Sequence, residues 1–440
     1  MKLSLAAIAQ MCNGELSLGS NAELIINNVV IDSRKVMPNT LFVAIKGEVN
    51  DGHDFIRDLD LTNCAVIANS NSCIKLPNVI YVVNTILALG LLAHNYRMLF
   101  HIPVIAITGS NGKTTVKEML KSICYKEYSE ECVLATAGNL NNHLGMPLTL
   151  LQLNEKHKVA IIEMGMNHSG ELKYLSNIAK PSIALINNVM FAHAGHFNSL
   201  IDIAQAKGEI YSGLIDGGVM CINVCSQFAS MWCESVADKN LKIIKYGCKD
   251  SSCYISDYLD NNTIQLETIT GEKIIIKLQI LGAHNYDNAL SACVLALQLN
   301  CKLDNIKSGL EDYKGYSGRL EQKIAFNGAT LIDDCYNANP DSVKAAINAI
   351  VNLPHPHWMI FADLKELGKW SIDAHKEIGE YAFEHGIDKL LTIGDYAQIS
   401  NENFRGEKLH FTSNQDIVEY CIRELPKTAT LLIKGSNKIG

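Results

Sequence analysis

Val104-Ile-Ala-Ile-Thr-Gly-Ser-Asn-Gly-Lys-Thr-Thr115 is the stretch that decides the fold of this chain. A β-branched apolar run enters two close glycines, a lysine and two threonines. Val116, Met119, Leu120 and Ile123 then follow at helical spacing. Strand, glycine turn and helix, in that order, make a phosphate loop credible. The loop residues Gly109, Ser110, Asn111, Gly112, Lys113, Thr114 and Thr115 are expected to hold ATP. Backbone amides from Gly109 to Thr114 would face phosphate oxygens, with a helix N-terminus behind them. Lys113 would sit on the β- and γ-phosphates, and the Thr114 hydroxyl would reach Mg2+. The spacing is not the usual G-x-x-x-x-G-K-[ST]. Ile107 stands where that pattern has glycine, which leaves a tighter T-G-x-N-G-K-T-T. The plainer reading, a turn with an exposed lysine, is disfavoured by the flanking strand and helix.

Outward from the loop, 440 residues suggest about three domains. The expected boundaries are 1–83, 84–312 and 313–440, all of α/β class. The first unit carries short strand-like runs at 24–26, 29–31, 41–45 and 79–83, separated by turns such as Pro38-Asn39 and Asn50-Asp51-Gly52. A helix-like segment, 85–99, leads to the loop strand. In the central unit, 159–163 and 183–187 are continuous apolar runs ending in polar residues. That is the look of buried parallel strands with a site at their C-terminal ends. The stretch 241–280 is β-rich with locally alternating runs such as Thr263 to Glu267 and is expected to be a peripheral antiparallel region, and 287–300 a helix. From 313 onward, strands at 330–334, 357–362, 388–393 and 429–434 alternate with helices at 341–351, 372–384 and 414–424. This predicts a second doubly wound, Rossmann-like unit without its own phosphate loop.

Hydrophobic residues at 48% and charged residues at 19% describe a globular chain with ample core. A net charge of −8 argues against nucleic acid as a partner held by a broad basic surface. No apolar run nears the roughly 18 residues of a membrane span, so no membrane insertion is expected. Lys2 and Ala7-Ile8-Ala9 imitate a secretion signal, but the apolar run is too short. A helix capped by Ser4 and stopped at Gly14 is the better reading. Fourteen cysteines contain no C-x-x-C, and Cys221 and Cys225 lack a second pair at zinc-site spacing. Free thiols in a reducing cytosol are expected, and so a cytoplasmic protein.

Several residues outside the loop invite chemistry. Glu163 ends a buried strand, where a carboxylate can hold Mg2+ opposite the phosphate loop; a merely solvated carboxylate is the plainer alternative. His193 and His196 lie in a Gly-containing loop after the next strand, suited equally to a ligand or a structural role. Lys207, in Ala-Lys-Gly-Glu, reads by itself as a surface charge. Asn139, Asn141 and Asn142 offer uncharged donors and acceptors to a polar substrate, or else form Asx-turns. Asp334 at a strand end is placed for ribose hydroxyls, and Asn337 and Asn339 for substrate amides. Asp341-Ser342 would serve equally as a helix cap. Arg319 offers a cation that a hinge could swing onto phosphate.

These motifs stop being independent when taken in order. T-G-x-N-G-K-T-T, the strand-end E-M-G, the A-H loop, A-K-G-E, G-x-H-N at Gly282 to Asn285 and G-R at Gly318-Arg319 are followed by D-D-x-Y-N-A-N-P and a late K-G-S at Lys434 to Ser436. Over essentially its whole length the chain resembles the Mur ligase family. G-N-x-N-N-x-x-G-x-P at Gly138 to Pro147 and Y-N-A-N-P at Tyr336 to Pro340 look most like the branch that joins D-alanyl-D-alanine to a UDP-N-acetylmuramoyl-tripeptide. Asp32-Ser33-Arg34, Leu41 to Ala44 and Asp51-Gly52-His53 look like that branch's uridine-nucleotide domain.

The resemblance implies a cytoplasmic step of peptidoglycan synthesis, carried by a monomer. ATP would activate the tripeptide carboxylate as an acyl phosphate, and the dipeptide amine would attack it. Two Mg2+ ions are implied, with Thr114, Glu163 and His193 as ligands. Lys207 would carry a CO2-derived carbamate supporting the second ion. Catalysis would fall to Lys113, Lys207, His193 and Arg319. Asn285 and Asn288 would frame the adenine, with Arg319 on phosphate and Asp334 on ribose. Ser33, Arg34, Asn139, Asn141, Asn142, Tyr336, Asn337 and Asn339 would bind the substrates. Three departures stand out: Asn223-Val224-Cys225 where an Asp-containing N-x-D is common, Ala362-Asp363-Leu364 for G-D-M, and Asn437 for the usual arginine after K-G-S. The rival readings are another amide ligase of the superfamily, such as the enzyme adding the third residue or a folylpolyglutamate synthase, and a P-loop phosphotransferase or nucleotide switch. The asparagine-rich loop and Y-N-A-N-P weigh against the first two, and the tight loop within three domains against the last.

Overall fold

A computed structural model describes residues 1–72, 74–190, 197–365 and 367–436. Three sheets organise the chain. The first has the order Glu15–Leu16, Val79–Val82, Ala65–Asn69, Thr40–Val43, Asn28–Val30, parallel except for its first strand. Asn84 caps the following helix, Thr85–Arg97, by accepting from the amides of Ile86 and Leu87 at 2.9 and 3.0 Å. At its far end the buried Arg97 donates to the carbonyls of Ala179 (3.0 Å) and Phe100 (2.6 Å), which ties this helix to the end of the helix Glu171–Ala179.

The central sheet runs Lys242–Tyr246, Val219–Asn223, Ile183–Ile186, Val104–Thr108, Val159–Glu163, Val133–Ala135, and all its pairings are parallel. Every residue of Val104–Thr108 and Val159–Glu163 is buried. Burial on both faces explains why these strands are continuous apolar runs rather than alternating ones. The helix Lys113–Tyr128 packs against His284–Gln298 and Leu303–Asp312, and the Ser122 hydroxyl donates to the Gly309 carbonyl at 2.6 Å. The alternating stretch expected to be wholly peripheral divides in two. Lys242–Tyr246 is the edge strand of the central sheet, and only Cys253–Asp260, Thr263–Thr268 and Lys273–Lys277 form the antiparallel unit.

The third sheet runs Glu321–Ile324, Thr330–Asp334, Thr430–Lys434, His357–Ala362, Lys389–Ile393, Glu407–Phe411, parallel except for the first strand. Thr108, Glu163 and Ile186 end central strands, and Asp334 and Lys434 end C-terminal ones. A ligand of such sheets belongs at these carboxyl ends, and there the two units meet.

Candidate active site

A cleft of about 550 Å3 lies between the two large sheets. The phosphate loop forms one wall. Gly112 enters the helix Lys113–Tyr128 at φ +77°, and a Cβ there would lie 2.3 Å from Asn288 Oδ1 and 2.6 Å from Asn187 Nδ2. Only glycine fits that corner. Asn188 props the loop: its carbonyl accepts from the Ser110 amide (3.0 Å) and its Oδ1 from the Asn111 amide (2.8 Å). The Ser110 hydroxyl donates to the Met190 carbonyl at 2.9 Å. Two amides expected on phosphate are therefore bonded to protein. The first-turn amides of the helix, which have no intrahelical carbonyl to reach, are left to face a ligand.

Behind the loop runs a chain of amides. Asn187 Nδ2 donates to the Asn111 carbonyl (3.0 Å) and to Asn288 Oδ1 (2.8 Å), and Asn187 Oδ1 accepts from the Ser291 hydroxyl (2.9 Å). Asn288 donates in turn to Asn285 Oδ1 (2.8 Å), and Asn285 to the Leu281 carbonyl (2.6 Å). Asn285 and Asn288 thus line the cleft, and they also brace the loop.

The charges beneath the loop are incompletely matched. Lys113 Nζ curls back to the carbonyls of Gly109 (2.7 Å) and Ser110 (3.1 Å). Burial lowers its pKa to about 8; the Glu163 carboxylate opposes that shift and Arg319 adds to it. Lys207 lies in the helix Leu200–Gly208, is 3% exposed, and has no hydrogen-bond or ion-pair partner among the described residues. Desolvation drives its pKa well below the ordinary lysine value, and Lys113 adds to the shift. The reading of Lys207 as a surface charge is corrected here. Glu163 is equally buried. Its Oε1 accepts from Asn141 Nδ2 at 2.8 Å, while its Oε2 is buried with no hydrogen-bond partner among the described residues. His193 and His196 lie outside the described residues.

The C-terminal unit reaches across the cleft at two points. Arg319 Nη2 donates to Thr114 Oγ1 at 2.9 Å, and its guanidinium stacks 4.3 Å over the Tyr336 ring. Asn339 and Asn111 make a reciprocal amide pair: Nδ2 of Asn339 to Oδ1 of Asn111 at 2.7 Å, and the reverse at 3.3 Å. Asn339 also caps the helix Pro340–Ile350 by accepting from the Ser342 amide at 2.9 Å. Asp334 lines the cleft but is held by protein: Oδ2 pairs with Lys434 Nζ (2.6 Å) and Oδ1 accepts from the Leu320 amide (3.1 Å). Asn337 Oδ1 accepts from the next amide, Ala338, at 2.9 Å.

Thr115, Tyr336 and Asn337 line the same cleft; Ser33, Arg34, Asn139, Asn141 and Asn142 do not. Arg34 makes a two-pronged pair with Asp32, both contacts 2.9 Å, on the surface of the N-terminal unit. Asn142 Oδ1 accepts from the amides of Leu144 (3.1 Å) and Gly145 (2.9 Å), the Asx-turn alternative. Asn139 is exposed, and Asn141 binds Glu163.

Four contributors escaped the sequence reading. Asn188 props the loop, and its signal was the paired asparagines at a strand end. Lys117 is fully buried, donates to the Thr136 carbonyl (2.6 Å) and pairs with Glu118 (2.7 Å). Lys434 opens K-G-S. Glu209 closes A-K-G-E. Its carboxylate accepts from the Gly170 amide (2.8 Å) and the Ser169 hydroxyl (2.9 Å), capping the helix Glu171–Ala179, whose own cap residue has no side chain. This joins the Lys207 helix to the loop that follows Glu163.

Phosphate loop, buried unpaired carboxylate oxygen and two cation-bearing units closing on one cleft define a nucleotide-using α/β enzyme of three units. The chain belongs to the Mur ligase family: the Mur ligase family catalytic domain matches residues 25–97, the Mur ligase middle domain 107–296 and the glutamate ligase domain 318–437. It is 38% identical to the UDP-N-acetylmuramoyl-tripeptide--D-alanyl-D-alanine ligase of Buchnera aphidicola subsp. Acyrthosiphon pisum, over 99% of this chain and 95% of that one. To the ligase of the same description from Escherichia coli it is 35% identical, over 99% and 96%. The crystal structure of MurF from Acinetobacter baumannii superposes with a TM-score of 0.91 at 31% identity, covering 100% of this chain and 96% of that one.

Proposed function

We infer that this chain is the ATP-dependent ligase that joins D-alanyl-D-alanine to UDP-N-acetylmuramoyl-tripeptide in peptidoglycan synthesis, releasing ADP. The observation that carries the reading is full-length similarity to ligases of that activity, combined with a phosphate loop that a second unit touches through Arg319. The chemistry is that of a poor electrophile made reactive. A carboxylate oxygen of the tripeptide attacks the γ-phosphorus of ATP, ADP leaves, and an acyl phosphate forms. The dipeptide amine then attacks the acyl carbon; the nitrogen loses a proton, the C–O bond breaks and inorganic phosphate departs.

The residues divide these tasks. Lys113 and Arg319 lie against the loop and spread the charge of the phosphoryl group in transfer. Asn285 and Asn288 frame the adenine from the wall they already form, and Asp334 meets the ribose. Tyr336, Asn337 and Asn339 face the substrates from the C-terminal unit. Ser33 and Arg34 hold the uridine nucleotide, and Asn139, Asn141 and Asn142 the peptide end.

The orphaned Glu163 Oε2 and the Thr114 hydroxyl are hard oxygen donors, so the donor set fits Mg2+. Glu163, Thr114 and His193 would hold it, with a second ion beside Lys207. Bound there, Mg2+ neutralises charge on the phosphate oxygens. A buried amine that favours its neutral form is also the form that adds CO2, and a Lys207 carbamate would supply the missing negative group. We place the enzyme in the cytoplasm as a monomer. No described helix is long and apolar enough to cross a membrane.

Phosphate release from ATP should require both UDP-tripeptide and D-alanyl-D-alanine. Turnover with glutamate and a folate instead would overturn the reading.

A further inference from the structure

One helical turn beyond Lys113, Lys117 lies fully buried on the helix Lys113–Tyr128. Its Nζ donates to the Thr136 carbonyl at 2.6 Å, lies 2.7 Å from Glu118 Oε1, and sits 5.8 Å over the Tyr316 ring. The other Glu118 oxygen pairs with Lys121, nearer the surface. A buried ammonium is costly, and an ion pair offsets that cost only where further hydrogen bonds complete the geometry. The carbonyl that Lys117 meets is therefore the informative contact.

Thr136 directly follows the strand Val133–Ala135, whose last pairing with Val159–Glu163 is Ala135 to Ile161. The ladder continues one step, with the Thr136 amide donating to the Ile161 carbonyl at 3.0 Å. The next parallel bond would run from the Glu163 amide to the Thr136 carbonyl. The Glu163 amide goes instead to Thr136 Oγ1, at 3.0 Å. The hydroxyl takes the place of the carbonyl, and the carbonyl turns to Lys117. Here the chain leaves the sheet and enters the asparagine-rich loop. From that loop Asn141 returns to the same glutamate. Its Nδ2 donates to Glu163 Oε1 at 2.8 Å, and its carbonyl accepts from the Gly165 amide at 2.9 Å. Backbone and side chain of Glu163 are thus both held by the segment that Lys117 anchors, and the carboxylate is left with one unpartnered oxygen, Oε2.

We propose that Lys117 is a positioning residue: through Thr136 it fixes the Glu163 carboxylate in the orientation that presents Oε2 to a divalent cation. The proposal deepens the ligase reading and rests on it for the role of Glu163 as a cation ligand. Lys117 does not line the cleft, so its effect passes through the Thr136 carbonyl and hydroxyl rather than by contact with a ligand. Partners of this kind, one step behind a ligating carboxylate, set its orientation and hence its affinity for the ion.

Mn2+ binding to the full chain in the presence of ADP, followed by electron paramagnetic resonance, tests this without turnover. Lys117→Met and Thr136→Val should each weaken Mn2+ binding about tenfold. Thr136→Ser keeps the hydroxyl and should retain wild-type affinity. Lys121→Met breaks only the outer pair of Glu118 and should retain it too. In turnover, Lys117→Met and Thr136→Val should raise the Mg2+ concentration for half-maximal rate by a similar factor, with the KM for UDP-tripeptide unchanged. If Lys117→Met melts early, Lys117→Gln takes its place, and Thr136→Val still reports on the link. Wild-type Mn2+ affinity in the folded Lys117 and Thr136→Val variants, or an equal loss in Lys121→Met, would overturn the proposal. A wild-type chain that binds Mn2+ in this pattern yet does not turn over UDP-tripeptide with D-alanyl-D-alanine would overturn the ligase reading alone.

Discussion

Lys207 and Lys434 are almost equally buried, at 3% and 2% exposure, yet their surroundings differ in kind. Lys434 ends a strand of the C-terminal sheet, pairs with Asp334, and donates to the carbonyls of Asp334 (3.0 Å) and Asn337 (2.6 Å). Lys207, beside the central sheet, meets no partner among the described residues, and Lys113 repels it. Glu163 repeats the pattern with one satisfied oxygen and one orphan. The buried lysine of the C-terminal unit is matched as it stands. The central unit is complete only with a ligand, which is where a phosphoryl-transfer site should concentrate its unspent charge.

The largest expected effect tests that incompleteness directly. Lys113→Ala should lower kcat by about a thousandfold, while calorimetry still detects UDP-tripeptide binding. Loss of both would point to misfolding instead. The two buried lysines should then separate in unfolding experiments. Lys434→Met strands the Asp334 carboxylate and should cost about 3–5 kcal/mol in urea denaturation. Lys207→Met removes an unpaired buried amine, so stability should hold or rise while turnover collapses. Equal destabilisation by both would erase the contrast. Short carboxylic acids should partly rescue Lys207→Ala if a carbamate is the working group; no rescue counts against it. Arg319→Ala should reduce kcat by about ten- to a hundredfold, with a smaller change in the KM for the dipeptide.

The smallest effect is a proton count. Between pH 8 and the ordinary lysine value, the unfolded chain keeps the Lys113 proton and the folded chain sheds it. The nucleotide-free fold therefore gains stability as pH rises through that window. Triphosphate placed against Lys113 reverses the shift. ATP binding at pH 8 should take up about half a proton, measured by calorimetry in buffers of different ionisation enthalpy. Lys113→Ala should diminish that uptake.

What the sequence made legible was local. The phosphate loop is a strand, a turn and a helix in twelve consecutive residues, and the buried strands announce themselves as apolar runs. Lys242–Tyr246 misled because a short, largely exposed strand says nothing of which sheet it joins or in which direction. The helix Ala397–Asn403 carried too little pattern to stand out. Lys207 was beyond local reading for another reason. Its burial depends on tertiary packing, which a helical lysine flanked by small residues does not announce. The pairing of Asp334 with Lys434, a hundred positions apart, is likewise a fact of sheet register.

The reciprocal pair between Asn111 and Asn339 bears on how nucleotide enters. It fastens the C-terminal unit to the loop expected to receive phosphates, so if ATP entry requires the two to part, these bonds must break first. Apparent affinity for ATP is then the intrinsic affinity multiplied by the fraction of molecules with the pair open. Asn339→Ala would raise that fraction and accelerate nucleotide entry, even though it removes a group facing the site.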